Sequence, residues 1–437
     1  MQKNFEEERF LEKITEPDKK IDLILTAGQI LNENGATNDK IIRVLNRIAI
    51  FMKIPQKNIS LHITKQIIFL EIFDGEKSVV SFRKCNKMAV DFFVIYSITK
   101  ISWQILKNSF TFDELKKFFE NISAKPKIYS HWQIILAVGI ACGGFCCLFG
   151  GNCTEIICTV LAAMAGKFTQ VKLLKHKVNE FLAIEFAAFV ATTFAYFSSP
   201  DSLKPTIACS LFLIPGVPIV NSIINMINNF LQNAMLELFR AFLIILSMTA
   251  GIIVSAEIFF AANNITVLDF ILLETTPDAN IFILALAAAI CAMGFAIPLN
   301  MPKKFLYIVG ILGASAIFTK NFLILNFEMD LEYSTFFAAL LVGFFSNIIS
   351  EKLNLVSSIL VVPPLLPMIP GVLSYRFLFA CMEWKFLTSE QLLTILPYGI
   401  DSVQIILAIV LGANLPRWIA NEFFEKKHDE KVKKFME

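Results

Sequence analysis

The sequence predicts a mainly α, polytopic helical membrane protein. About ten spans are expected in two inverted five-span repeats, preceded by a small α+β cytosolic domain. Three observations predict this. First, the 437 residues are 56% hydrophobic and only 17% charged, against about a quarter charged in soluble chains, and mean hydropathy is +0.63. Second, the charge is segregated: residues 1–131 are hydrophilic, whereas 132–420 are mostly long apolar runs. Third, each half of the apolar region carries a Pro-Gly break in a charge-free stretch. These are Leu213-Ile214-Pro215-Gly216-Val217-Pro218 and Met368-Ile369-Pro370-Gly371-Val372-Leu373. Pro removes a backbone donor and Gly relaxes the backbone. A bilayer tolerates broken backbone only where protein or a water-filled cavity covers it, so matched breaks point to a substrate site.

Within the N-terminal domain, residues 21–34 read as a helix ended by Gly35. Asn38 is expected to cap a second helix carrying Ile41, Ile42, Leu45, Ile48 and Met52. Two strands are expected next. The run Ile59–Phe73 is β-branched and aromatic, and Asp74-Gly75 is a hairpin signal before Val79–Phe82. A helix through 88–106 follows, and Thr111-x-x-Glu114 reads as a capping box. No Gly-rich phosphate loop, metal cluster or nucleophile motif occurs in this domain, so no enzyme and no cofactor are expected. The first long apolar run starts near Trp132, and no signal peptide is read upstream of it.

Spans are expected near 132–149, 152–166, 180–198, 205–223, 236–262, 280–299, 305–319, 333–350, 354–376 and 394–418. The expected partition is 1–131 cytosolic, 132–262 first repeat, 263–279 extracytoplasmic loop, 280–420 second repeat and 421–437 charged cytosolic tail. Lysines test the orientation. One set of connections holds Lys167, Lys172, Lys175, Lys177, Lys303, Lys304 and Lys352; the alternate set is assigned Lys204, Lys320 and Lys385. This pattern predicts a multi-pass protein with both termini cytoplasmic. Gly143-Gly144-Phe145 resembles Met293-Gly294-Phe295, Pro215-Gly216-Val217 resembles Pro370-Gly371-Val372, and Gly251 and Gly412 hold comparable places. Five spans per unit is odd, so the second unit enters from the opposite side.

Nine cysteines, five of them between Cys142 and Cys158, lack histidines at ligand spacing. They read as small buried residues at helix contacts, with no metal expected. The net charge of +2 is not gathered on one stripe, so no nucleic-acid partner is expected.

Ionisable residues at membrane depth are functional candidates by default. Glu185 and Glu257 sit deepest and Asp401 lies early in the last span, so these three are candidate proton carriers. A carboxyl group in hydrocarbon favours its protonated form. The alternative for Glu185 and Glu257 is a buried structural role, and for Asp401 and Glu155 a solvated helix end. Arg376 follows the second break and either snorkels or binds a carboxylate. Pro215, Gly216, Asn221, Pro370, Gly371, Ser374 and Arg376 form the candidate substrate site. Ser222 and Asn225 flank the first break as well. Half-helix N-termini suit a carboxylate and freed carbonyls an ammonium group; the alternative is ordinary interhelical hydrogen bonding. An aspartyl intramembrane protease needs two facing aspartates, and only Asp401 lies in a span. A serine version needs a membrane histidine, and His62, His131, His176 and His428 all lie outside the spans.

These residues bring a family into view. Ala27-Gly28-x-x-Leu31 with Asn34-Gly35-Ala36-Thr37, Lys125-Pro126-Lys127-x-Tyr129-x-x-Trp132, Pro215-Gly216-Val217-Pro218-x-x-Asn221 and Pro367-x-x-Pro370-Gly371-x-x-x-Tyr375-Arg376 resemble the threonine/serine exporter family over nearly the whole chain, in its fused two-half form. Relatives usually carry Glu-Thr after the Gly-Ala, where this chain has Thr37 and Asn38, followed by Lys40. The resemblance implies a secondary transporter exporting threonine or serine, by proton antiport since no ATP-binding motif is present. The alternative it implies is export of succinate or another small dicarboxylate, because a split pair of relatives is associated with succinate. Outside transport, a membrane-bound sensor is the alternative, though a sensor would not need matched breaks. Expected partners are the small-molecule substrate, protons and the lipid bilayer, with homo-oligomerisation left open.

Overall fold

The computed structural model describes residues 16–73, 78–86, 89–106, 110–124, 127–199, 202, 204–263, 280–353, 357–382, 384–386 and 388–436. Two compact units result. One comprises 1–126, 225–234 and 431–437; the other comprises 127–224 and 235–430.

The first unit packs helices α1 (Glu16–Glu33), α2 (Asn38–Phe51), α3 (Phe92–Gln104) and α4 (Phe112–Ala124) with an antiparallel sheet of order β1-β2-β3. Gly35 ends α1 with φ 82, a left-handed conformation that costs glycine little. The continuous run 59–73 is two strands, β1 (Ile59–Ile63) and β2 (Ile67–Phe73), paired with β3 (Ser78–Lys84). Three strands replace the two expected because Thr64 makes a local turn, its Oγ1 accepting from Ile67 N at 3.0 Å. The Asp74-Gly75 signal lies outside the described residues. Asn38 is not the cap of α2. Thr37 takes that position without a side-chain bond. The Asn38 amide is instead buried, donating to Ile63 O at 3.1 Å. Thr111 and Glu114 do form a reciprocal cap: Thr111 N donates to Glu114 Oε2 at 2.8 Å and Glu114 N to Thr111 Oγ1 at 3.3 Å.

In the second unit the helices are α5 (His131–Leu148), α6 (Cys153–Lys175), α7 (Glu180–Ser198), α8 (Lys204–Ser210), α9 (Gly216–Ile227), α10 (Leu231–Asn263), α11 (Ile281–Ala296), α12 (Leu306–Phe327), α13 (Leu331–Leu353), α14 (Ser357–Leu365), α15 (Gly371–Met382) and α16 (Ser389–Met436). The end of α9 and the start of α10 run through the 225–234 segment that groups with the first unit. Among the described residues seven helices are long and apolar enough to cross a membrane, or nine if each of two bent pairs is one span; α11 is a shorter apolar helix. The chain is therefore a polytopic helical membrane protein. Large apolar side chains such as Leu286 and Ile311 are exposed in mid-helix, as lipid contact requires.

Small residues set the helix contacts. Gly144 of α5 lies against Cys291 and Ala287 of α11, and Gly294 of α11 lies against Ala141 and Ala137 of α5. Gly251 of α10 meets the backbone of Glu185 and the side chain of Ala188 on α7; Gly412 of α16 meets the backbone of Phe336 and the side chain of Ala339 on α13. Without a hydrophobic drive between lipid-immersed helices, such close backbone approach is what holds them together. Cys142, Cys146, Cys209 and Cys291 are buried in these contacts, with Cys291 Sγ donating to Ala141 O at 3.2 Å.

Two helices run further than the expected spans 152–166 and 305–319. Lys167, Lys172 and Lys175 belong to α6, and Lys320 belongs to α12 rather than to a connection. Lysine is a good helix former, so a single one does not end a helix that apolar residues continue on its far side.

Candidate functional site

The site is built from the two breaks. A residue before proline is pushed out of the α region, and Ile214 and Ile369 accordingly adopt φ/ψ of −62/127 and −63/128. In each break a 3₁₀ turn closes first: Ile214 N donates to Leu211 O and Ile369 N to Leu366 O, both at 3.2 Å. Gly216 N then donates to Ile214 O at 2.8 Å and Gly371 N to Ile369 O at 2.7 Å. A new helix starts at each proline, whose carbonyl accepts from Ile219 N at 3.1 Å or Ser374 N at 3.0 Å. The resulting bends are 55° and 61°.

The breaks pack on one another. A Cβ on Gly216 would lie 2.5 Å from Leu366 Cδ2 and 2.8 Å from Ile369 Cδ1; a Cβ on Gly371 would overlap Ile214 Cδ1 and lie 3.3 Å from Leu211 Cδ2. Each glycine thus admits the isoleucine that precedes the opposite proline. The crossing brings the N-terminal ends of α9 and α15 together, and the positive ends of two helix dipoles with them.

A cavity of about 940 Å³ lies beside this crossing. The first break contributes Leu211, Phe212 and Ile214 to its wall, and the second contributes the whole run Leu366–Leu373. Phe145, Phe295, Leu284, Ile317, Ile324 and Ile405 add apolar wall; Asn280, Lys320, Asn321 and Thr335 add polar groups. Lys320 is the one charged residue among the described lining residues.

The ends of the unit can be told apart. Ile128 N donates to Asn300 Oδ1 at 2.9 Å and Tyr129 OH donates to Met301 O at 2.8 Å. The start of α5 therefore shares an end with Lys303 and Lys304. Trp132 stacks on Phe168 with centroids 5.9 Å apart, which brings the Lys-rich C-terminal part of α6 to the same end. From the Phe145–Phe295 ring contact, at 5.6 Å, the cavity extends toward Asn280, Leu325 and Leu331, at the start of α11, the end of α12 and the start of α13. That is the end opposite the lysines.

The candidate residues fall in different places. Pro370 and Gly371 line the cavity, whereas Pro215, Gly216, Asn221, Ser374 and Arg376 are not among its described lining residues. Pro215 and Gly216 are buried in the crossing itself. Asn221 is buried in α9. Ser374 Oγ donates to Pro370 O at 2.9 Å, tying the new helix start. Arg376 is buried at 5% exposure, its guanidinium 5.9 Å from the centre of the Tyr398 ring, which replaces snorkelling with a packed position. Of the acids, Glu185 and Asp401 are half-buried and Glu257 is exposed on α10; none lines the cavity. Glu155 is buried and caps α6, accepting from Asn152 N at 2.7 Å.

Lys320 and Thr335 escaped the sequence reading. Lys320 was assigned to a connection because it ends an apolar run; the signal that marks it is the apolar Phe322-Leu323-Ile324-Leu325 beyond it. Thr335 carries no sequence signal, since threonine is ordinary in a membrane helix.

Comparison with known proteins divides at the same two halves. Residues 22–259 match a model described as "Putative threonine/serine exporter", ThrE, and residues 284–419 match a second model described as "Threonine/Serine exporter, ThrE". A Klebsiella aerogenes protein named "Probable succinate transporter subunit YjjP" is 26% identical over 43% of this chain and 74% of its own length. The Escherichia coli K12 protein of the same name is 24% identical over 54% of this chain and 93% of its own length. A Haemophilus influenzae protein named "Uncharacterized protein" is 34% identical over 30% of this chain and 44% of its own. No solved structure matches. Glycine and proline at the two crossings, and family models over both halves, lead to one conclusion: the chain belongs to the threonine/serine exporter family, with its two halves fused.

Proposed function

We propose that the protein is a secondary transporter exporting threonine or serine across the bacterial inner membrane by proton antiport. The observation that carries this is the pair of Pro-Gly breaks packed reciprocally beside one cavity. Such broken helices supply dipole ends and free backbone groups for a zwitterion near mid-membrane. The repeat is read as inverted, with α11 counted as the sixth of ten spans and both termini cytoplasmic. Support comes from the like-for-like geometry at Ile214 and Ile369, and from the paired glycine contacts of α5 with α11, α7 with α10 and α13 with α16. With the lysine-rich end inside, the cavity faces outward.

Export of succinate or a similar dicarboxylate is the second reading. It is favoured by Lys320 standing in a wall with no acid among the described lining residues, and by the name carried by the two enterobacterial relatives. Efflux of labelled threonine from loaded proteoliposomes, with succinate as competitor, separates the two. The transport reading fails if neither solute moves. For coupling, Glu185→Gln or Glu257→Gln is expected to abolish pH-gradient-driven efflux while sparing exchange; full driven efflux by both variants moves the proton to Asp401 or to another ion. Asp401→Asn then distinguishes those two.

A further inference from the structure

We infer that Lys320 and Thr335 form the subsite that anchors the substrate's carboxylate in the outward-facing cavity. The inference rests on the proposed transport function and assigns its chemistry to two residues.

Lysine within a membrane helix is costly and is retained where it faces a partner or a cavity. Lys320 lies about two turns before the end of α12 at Phe327, and its side chain is half-buried against the cavity rather than exposed. It makes no hydrogen bond or ion pair with any described residue. The acids of the neighbouring α12–α13 turn, Glu328 and Asp330, are exposed and outside the wall. Among its described lining residues the cavity therefore carries one positive charge and no acid.

Thr335 is an independent observation. Threonines in these helices ordinarily bond back one turn: Thr159 to Glu155 O at 2.7 Å, Thr192 to Ala188 O at 2.8 Å and Thr249 to Ile245 O at 2.8 Å. Thr335 sits in the second turn of α13, where Leu331 O offers the same bond. Yet its Oγ1 is buried with no partner among the described residues, although the residue is 1% exposed. A buried hydroxyl without a partner is unfavourable by about 1–3 kcal/mol, and here it lines the same cavity as Lys320. The first turn of α15, at Gly371, Val372 and Leu373, faces that space too and adds the positive end of a helix dipole. An ammonium, a hydroxyl donor and a helix N-terminus around an apolar space, with no acid among the described lining residues, suit a carboxylate. They suit it in an amino acid and in a diacid alike.

The test is binding of L-threonine and of succinate to the purified full-length protein, by calorimetry, with transport in proteoliposomes alongside. For whichever solute the wild type binds, Lys320→Gln and Thr335→Val should each weaken binding about 10-fold or more. Lys320→Arg should recover part of the loss. L-threonine amide, which lacks the carboxylate, should bind wild type and Lys320→Gln equally poorly. Binding of threonine and succinate by Lys320→Gln and Thr335→Val at wild-type strength overturns the subsite and leaves the transport reading standing. Failure of the wild type to bind or move either solute removes the transport reading, and the subsite with it. A variant that does not purify as a folded protein is replaced by Lys320→Met or Thr335→Ser: methionine should lose binding as glutamine does, and serine should keep it. The reverse pattern overturns the assignment.

Discussion

The two crossings share a backbone and differ in chemistry. Ile214 and Ile369 agree within a degree or so in φ and ψ, and each break repeats the same pair of hydrogen bonds. Around the cavity the symmetry ends. Only three residues of the first break reach the wall, against an unbroken run of eight from Leu366 to Leu373 of the second. The segments downstream of the two breaks differ too. Beyond the first turns of α9, the segment 225–234 groups with the N-terminal unit, where Asn233 Nδ2 donates to Ile63 O and Asn233 Oδ1 accepts from Lys65 N, both at 2.9 Å. The residues after α15 have no such grouping. Proline stereochemistry thus dictates the geometry twice over, while the surroundings differ: the second break lines the cavity along its whole length, and the segment 225–234 downstream of the first groups with the N-terminal unit.

Removing either break should have the largest effect. Pro215→Ala with Gly216→Ala, or Pro370→Ala with Gly371→Ala, is expected to abolish export while the protein still inserts. Alanine is favoured over proline by about 3 kcal/mol in a helix interior, and the added Cβ collides with the opposite break. Normal export by either double variant would reduce the crossing to a packing feature.

A cross-rescue probes the reciprocity itself. Gly216→Ala alone should impair transport through overpacking of about 1–3 kcal/mol. Leu366→Ala with Ile369→Ala should relieve it, since both side chains meet the added Cβ, whereas Ile214→Ala should not; for Gly371→Ala the helpful partner should be Ile214→Ala. A double-mutant cycle on transport rate that finds both partners equally effective, or neither, would break the comparison.

The tie to the N-terminal unit should yield a smaller effect. Asn233→Ala removes the acceptor of the buried Lys65 N–H, a loss of about 1–3 kcal/mol, and one of two donors to Ile63 O, the other being the Asn38 amide. Hydrogen exchange at the Lys65 amide should accelerate, with exchange at Ile219 and Ser374 unchanged. Unaltered protection at Lys65 would remove the tie.

A pH-dependent effect concerns Lys40, in the same unit. Burial lowers its pKa from 10.5 to about 7, opposed by Asp39. Between those two values the unfolded chain binds more protons than the folded one, so stability rises with pH across that window and is level below it. The slope should not exceed about 1.4 kcal/mol per pH unit. Lys40→Met should flatten it, as read by urea unfolding of the purified protein at about pH 7 to 10. An unchanged slope would assign it to another group.

Much of the membrane unit was legible because hydrocarbon imposes long apolar helices and proline breaks them. The capping box at Thr111 and Glu114 was legible for a similar reason, since it is complete within four residues. Asn38 was misread as a cap because its true partner, Ile63 O, is distant in sequence. The turn inside 59–73 was missed because Thr64, not glycine or proline, makes it. Lys320 was misplaced because a lysine after an apolar run looks the same at a helix end and at a cavity wall.

By itself, the sequence determined where the backbone must break, since the proline ring and the residue before it restrict φ and ψ locally whatever surrounds them. It also determined membership of the exporter family through motifs in both halves. Only the tertiary structure decided that Gly216 receives Ile369 and Gly371 receives Ile214. It alone put Lys320 and Thr335 on one cavity wall and kept Glu185, Glu257 and Asp401 off it. Those are contacts between segments far apart in the chain, and their energies depend on packing that no local pattern encodes.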